Sequence, residues 1–321
     1  MKKIISLLIN KLPFLNLKLF KLVLILICFF LISYLECNYF DKYKKQEIII
    51  NINNLFHFHK ILTNIIDNIT LVSCYFKIKS KHSLSQYSEW INNFLQINHP
   101  LVFFVDDFHY REIINKRPKI YRNKTIWIKT KITDFYSYKK YFNEYNRTYN
   151  IDLEKKIHSV PLYLIWAEKV NFLKIAISKN FFKSKCFYWI DAGCFRDKNT
   201  IKNYINDWPS YKKCFEDGRV LFNEVHNYSK IFKDKIKRFD IEAHYNLQKK
   251  TNIDGSSFGG KKEYLLKFNT LFYNALIKFV HHGIFIGKDQ NIFAFIAYSN
   301  EDIVKLVYLK SFFALQNYLK K

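Results

Sequence analysis

The chain has 321 residues, with 52 Lys or Arg against 27 Asp or Glu and a formal net charge of +25. Its 49% hydrophobic and 19% aromatic content excludes a wholly disordered chain, and seven Gly with five Pro exclude collagen-like or Gly/Pro-rich low-complexity sequence. The charge comes from lysines spread along the whole length, as AT-rich codons would produce, and no zinc-finger spacing, KH loop or aromatic RNP motif accompanies it, so no nucleic-acid partner is expected.

The first element in chain order is apolar. Leu22 to Leu35 reads LVLILICFFLISYL, fourteen residues without a charge. That is short for a span and suits the core of a secretory signal. Leu19 and Phe20 extend it past Lys21, whose stem can snorkel, and no small-x-small cleavage site follows before Asn38. The segment 19–36 is therefore predicted as an uncleaved transmembrane signal anchor. Lys2, Lys3, Lys11, Lys18 and Lys21 precede it, and the first charge beyond is Glu36. The positive-inside rule puts a basic N-terminus, 1–18, in the cytosol and the main domain in a lumen or periplasm. Sequons stand at Asn68, Asn123, Asn146 and Asn227, as an Asn-rich chain produces by chance. The six cysteines form no Cys-x-x-Cys pair, which argues against structural zinc. A Cys186–Cys194 or Cys194–Cys214 bridge is left open by spacing.

A stem, 37–66, leads into a main domain over 67–300, and 301–321 reads as a C-terminal tail. Thr70–Ile78 is predicted as a buried strand, followed by a helix with Tyr87, Trp90, Ile91, Phe94 and Leu95 on one face. Leu101–Val105 is a second strand with Asp106-Asp107 at its exit, and Thr125–Ile128 a third. Leu162–Ile177 is a long apolar-faced helix, and Cys186–Ile190 a strand running into Asp191-Ala-Gly. Gly259-Gly260 is expected to open a helix through about Val280, with Gly283 ending it. A final helix covers Gln290–Tyr298, which Asp289 can cap. The alternation implies an α/β fold with a mainly parallel sheet flanked by helices, its first, second and fourth strands adjacent. Ligands of such sheets bind at the carboxyl ends of the strands, where Asp106 and Asp191 stand.

Asp191 ends an apolar strand and is followed by two very small residues, which leaves space beside a carboxylate. That suits a divalent cation bridging a diphosphate; Asp-Ala-Gly is equally turn chemistry. Gly255 to Lys262 fails as a phosphate loop, because Lys262 replaces the required Ser/Thr. Gly259 and Gly260 would still let backbone amides approach a phosphate or sugar, or simply form a turn. Asp289-Gln290 would accept hydrogen bonds from sugar hydroxyls, supply a base, or cap a helix. His281-His282 favour the end of their helix electrostatically.

The strand Thr70–Phe76, Trp90, Asp106, Trp166-Ala-Glu-Lys-Val170, Tyr188-Trp-Ile-Asp-Ala-Gly-Cys-Phe-Arg196, Gly259-Gly260 and Gly287-x-Asp289-Gln290 together resemble the HtrL/YibB family over about Thr70–Tyr298. That family looks like a GT-A type glycosyltransferase group, with bacterial members associated with surface polysaccharide. The resemblance implies a GT-A-like domain that moves a sugar from a nucleotide-sugar to a glycan, lipid-linked or protein acceptor. The alternative is a non-catalytic, membrane-anchored glycan- or nucleotide-sugar-binding protein of the same fold. On this reading Asp191 holds the donor diphosphate through Mn²⁺ or Mg²⁺ if a cation is used, and Asp106 contacts the donor nucleoside or sugar. Lys169 or Arg196 offsets phosphate charge, Gly259, Gly260 and Gln290 line the substrate site, and Asp289 is the base or orients the acceptor. The second carboxylate of an Asp-x-Asp motif is missing, since position 193 is Gly.

Overall fold

The computed structural model describes residues 69–320 apart from 79–81, 200, 207, 211 and 214–216. The expected anchor (19–36), its cytosolic flank (1–18) and the stem (37–66) lie outside the described residues, as do Cys28, Cys37 and Cys214. Among the described residues no helix is long and apolar enough to cross a membrane.

The elements are β1 (Ile69–Tyr75), α1 (Leu84–Phe94), β2 (Leu101–Val105), α2 (Asp107–Lys116), β3 (Thr125–Lys129), α3 (Tyr136–Thr148), α4 (Val160–Lys179), β4 (Cys186–Ile190) and β5 (Val220–Glu224). They continue with α5 (Lys230–Lys237), α6 (Ile241–Lys249), β6 (Ile253–Lys261), α7 (Lys262–His281), α8 (Asp289–Ser299), β7 (Val304–Tyr308) and α9 (Ala314–Tyr318). The seven strands form one sheet in the order β3-β2-β1-β4-β6-β5-β7. All neighbours are parallel except β6, which is antiparallel to β4 and β5. The architecture is thus α/β with a mostly parallel sheet, and β2, β1 and β4 are adjacent as expected.

Both faces of the sheet are covered, so its strands are apolar on both sides. In β4, Phe187 and Trp189 point into one core with Phe104, Phe172, Phe222 and Phe258. Cys186, Tyr188 and Ile190 point into the other, with Phe94, Phe103 and Leu221. The period-two alternation of a strand divides five consecutive hydrophobics between two cores.

Two segments differ from the sequence-based expectation. Gly259-Gly260 does not open a helix; both lie inside β6, and α7 begins at Lys262. A Cβ at Gly259 would stand 2.3 Å from the Phe187 carbonyl oxygen, and one at Gly260 2.5 Å from that of Arg219. These glycines permit close strand packing. The stretch read as a tail also belongs to the domain: β7 pairs with β5, and Leu315 and Leu319 are fully buried. Of the bridges left open, Cys186–Cys194 does not form: Cys186 opens β4 and Cys194 lies beyond its far end. Gly283 does end α7, with φ at +66°, and His282 Nδ1 donates to the Lys278 carbonyl at 2.8 Å.

Candidate functional site

From β1 the chain moves outward through β2 and β3, then returns to add β4 on the other side of β1. That reversal is a topological switch point, where the carboxyl ends of neighbouring strands part and leave a crevice. Asp191 follows the last residue of β4 at this place. The antiparallel β6 starts at the same edge, and the Asp191 amide donates to the Ser256 carbonyl at 2.7 Å.

Strand geometry orients the Asp191 carboxylate. Residues two apart share a face, so the Trp189 indole Nε1 reaches Asp191 Oδ1 and donates to it at 2.6 Å. From α4, Lys169 extends its ammonium to the same oxygen at 3.2 Å. Nζ also donates to the Gly255 carbonyl at 2.9 Å and lies 3.1 Å from Asp289 Oδ2 at the start of α8. That last contact is an ion pair without hydrogen-bond alignment, since Oδ2 accepts no hydrogen bond. The Trp166–Val170 motif divides its labour. Glu168 accepts from the Tyr136 and Ser137 amides at 3.1 and 2.9 Å and so caps α3, while Lys169 enters the site.

Two carboxylates and one ammonium leave the cluster with a formal charge of −1. Side-chain exposure is 4% for Lys169 and 3% for Asp289 but 34% for Asp191. Burial pushes the Asp289 carboxyl up to about 6 against the opposing pull of Lys169. Desolvation likewise raises Asp191, opposed by Lys169 and by the Trp189 hydrogen bond. Lys169 is held charged by its two carboxylates, whose pull exceeds the desolvation that opposes it. Asp191 is the member that solvent reaches.

The residues present do not fit a resident divalent cation at Asp191. Oδ1 is taken by an indole and an ammonium, and Oδ2 lies 3.5 Å from that ammonium. Among the described residues no group of three His, Cys, Asp or Glu is placed to hold a metal. A side chain at Gly193 would put its Cβ 3.3 Å from both Trp90 and Tyr87, so aromatic rings stand where a second carboxylate would start. The cation-ligand role expected of Asp191 draws no support from these partners.

Arg196 is exposed, with its guanidinium 4.4 Å from the Trp90 ring centre and 4.6 Å from that of Phe313. Asp289 is 3% exposed, with Oδ2 3.1 Å from Lys169 Nζ, so its carboxylate is closed to solvent, unlike that of Asp191. It is not the cap of α8: it is the first helical residue, and its Oδ1 accepts from the Gln290 amide at 2.9 Å. Gln290 packs over Gly255, where a Cβ would stand 3.1 Å from its Cγ. Gly259 and Gly260 are buried within the sheet. Asp106 caps α2, its Oδ1 accepting from the His109 amide at 2.8 Å. His109 Nδ1 donates to the same carboxylate at 2.8 and 2.9 Å. His109 also walls a small cavity with Tyr75, Lys77, Ser88 and Glu112.

Sequence reasoning missed Trp189, His109 and Asp254. The first was within reach, because residues 189 and 191 share a strand face. Asp254 is buried at the start of β6, accepting from the Ser256 and Phe313 amides at 2.9 and 2.7 Å.

The sequence model of the HtrL/YibB family, described as a bacterial protein of unknown function, matches residues 67–318. No curated protein matches the chain.

Proposed function

We propose that this chain, which belongs to the HtrL/YibB family, is a membrane-anchored glycosyltransferase with a GT-A-like domain. It moves a sugar from a nucleotide-sugar to a hydroxyl of a glycan, lipid-linked or protein acceptor. The observation that carries this reading is the solvent-open carboxylate of Asp191 at the sheet's switch point, backed by buried Lys169. The stacked guanidinium of Arg196 offsets the charge of the donor diphosphate, a role that suits a planar, permanently charged group held between rings. Asp106, at the end of β2 on the same edge of the sheet, takes the role of contacting the donor nucleoside or sugar.

The acceptor oxygen attacks the anomeric carbon, and the bond from that carbon to the diphosphate oxygen breaks. The bonding pair leaves with the nucleoside diphosphate, whose growing charge Arg196 stabilises. The acceptor proton passes to Asp191, the accessible carboxylate of the cluster. Asp289 is a positioning residue that holds Lys169. The anchor is 19–36, with the catalytic domain on the luminal or periplasmic side.

A thermal-shift screen of nucleotide-sugars on the full chain, followed by an assay for released nucleoside diphosphate, tests the reading. A donor that binds and turns over, with turnover lost and binding largely kept in Asp191→Asn, supports it. Binding without turnover favours the non-catalytic nucleotide-sugar-binding protein, and no binding to any nucleotide-sugar removes both the transferase and that binder, leaving a glycan-binding protein of the same fold. Carbonate extraction and protease protection in sealed vesicles test the anchor; a soluble product or an accessible C-terminus overturns it.

A further inference from the structure

Three oxygens converge on one point in this site: Asp191 Oδ1 at 3.2 Å, Asp289 Oδ2 at 3.1 Å and the Gly255 carbonyl at 2.9 Å from Lys169 Nζ. Two carboxylates and a carbonyl are the hard donors that Mg²⁺ and Mn²⁺ select. Glycine at 255 keeps the arrangement tight. A Cβ there would stand 3.3 and 3.4 Å from the two Asp289 carboxylate oxygens, so the carboxylate approaches β6 closely because no side chain intervenes. The centre of this cage is filled by an ammonium arriving from α4, a helix anchored elsewhere by Glu168 and by Asn269, which donates to the Val170 carbonyl at 3.1 Å.

We propose that Lys169 is a built-in replacement for a divalent cation. Its ammonium occupies the oxygen cage of Asp191, Asp289 and Gly255, so the site operates without metal, and taking the ammonium away converts the cage into a cation site. The charges agree with this exchange. Two carboxylates around one ammonium sum to −1, whereas the same pair around a divalent cation sums to zero, so the emptied cage attracts Mn²⁺ more strongly than the filled one. The ammonium supplies a fixed positive charge behind Asp191 but, being buried, no open coordination position for a phosphate oxygen. Charge on a bound diphosphate then falls to exposed groups such as Arg196. This last consequence rests on the glycosyltransferase reading; the occupancy of the cage does not.

The test is titration of Mn²⁺ alone, without nucleotide, followed by the electron paramagnetic resonance signal of free Mn²⁺. The wild-type chain, Lys169→Ala and Lys169→Ala/Asp191→Asn are compared. Lys169→Ala is expected to bind stoichiometrically and at least about tenfold more tightly than wild type, because carboxylates freed from an ammonium gain a cation partner, and the double variant is expected to lose that gain. If Lys169→Ala does not fold alone, Mn²⁺ is expected to restore its near-ultraviolet circular dichroism, since a ligand that binds only the native state stabilises it. Asp191-dependent stoichiometric binding by wild type would overturn the proposal. So would a Lys169→Ala chain that neither binds Mn²⁺ nor folds in its presence. Because no donor is involved, a failed donor screen and a failed titration remain distinguishable.

Discussion

Trp189 Nε1 donates to Asp191 Oδ1 at 2.6 Å, across two residues of one strand face. The indole is fully buried and stacks on Phe172 with ring centres 6.1 Å apart. Oδ1 is therefore fixed by the core and by Lys169 at 3.2 Å, and Oδ2, 3.5 Å from the same ammonium, is left to the crevice.

Replacing Trp189 with Phe keeps an aromatic ring in the stack and removes that donor. The chain is expected to fold, with a loss of about 1–3 kcal/mol from the smaller ring and the lost charge-assisted bond. Turnover, read by release of nucleoside diphosphate, is expected to fall about tenfold as the carboxylate loses its fixed orientation, with donor affinity largely kept. Unchanged turnover in a folded variant would show that the indole does not position Asp191.

The strands that flank the site were readable because buried parallel strands are near-continuous hydrophobic runs, as in LVFFV and CFYWI. The β6 segment IDGSSFGGK has no such signature, because its glycines serve packing against Phe187 and Arg219 rather than strand propensity. β7, VKLVY, sits on the edge with its middle residues half-buried, so it reads as an ordinary surface segment. Lys169, Asp191 and Asp289 each stand out by their position in the chain. Their convergence on one ammonium was not legible, since it depends on the crossing of α4 over β4 and on the close approach of Asp289 that Gly255 allows.

The glycines separate into packing and turn roles that mutation can tell apart. Gly259→Ala places a methyl 2.3 Å from a carbonyl oxygen and 2.4 Å from the Tyr188 ring. Neither can yield without parting β4 from β6, so a loss of more than about 3 kcal/mol is expected. Gly283→Ala meets no atom within 4 Å and carries only the strain of φ at +66°, about 1 kcal/mol. Urea denaturation of the two variants checks the order; equal losses would refute it.

Arg117 is buried and donates to the carbonyls of Leu95, Ile97 and His99 at 2.8, 2.6 and 2.9 Å and to Thr125 Oγ1 at 2.9 Å. The guanidinium ties the loop between α1 and β2 to β3. Burial lowers it to about 10. Arg117→Lys retains the charge but cannot span the same acceptors with a single nitrogen, so buried carbonyls are left unsatisfied and a loss of about 3 kcal/mol or more is expected. A change below about 0.5 kcal/mol by chemical denaturation would mean the bonds contribute nothing net.

Asp289 gives the fold a pH dependence whose sign is set by burial. Its carboxyl is raised from the ordinary carboxylate value to about 6, so between about pH 4 and 6 the native state binds more protons than the unfolded chain. Stability then falls as pH rises through this window, because the slope of unfolding free energy with pH follows protons bound by the unfolded state minus those bound by the native one. The cost is absent below about pH 4, where both states are protonated, and complete above the folded value, where it reaches up to about 3 kcal/mol at 1.36 kcal/mol per unit. Asp289→Asn removes the titration and leaves Lys169 paired with Asp191. The variant is therefore expected to match wild type near pH 4 and to exceed it at pH 7, as read by urea midpoints across the range. The opposite trend, a variant that loses ground to wild type as pH rises, would show that the ion pair with Lys169 outweighs the desolvation of Asp289.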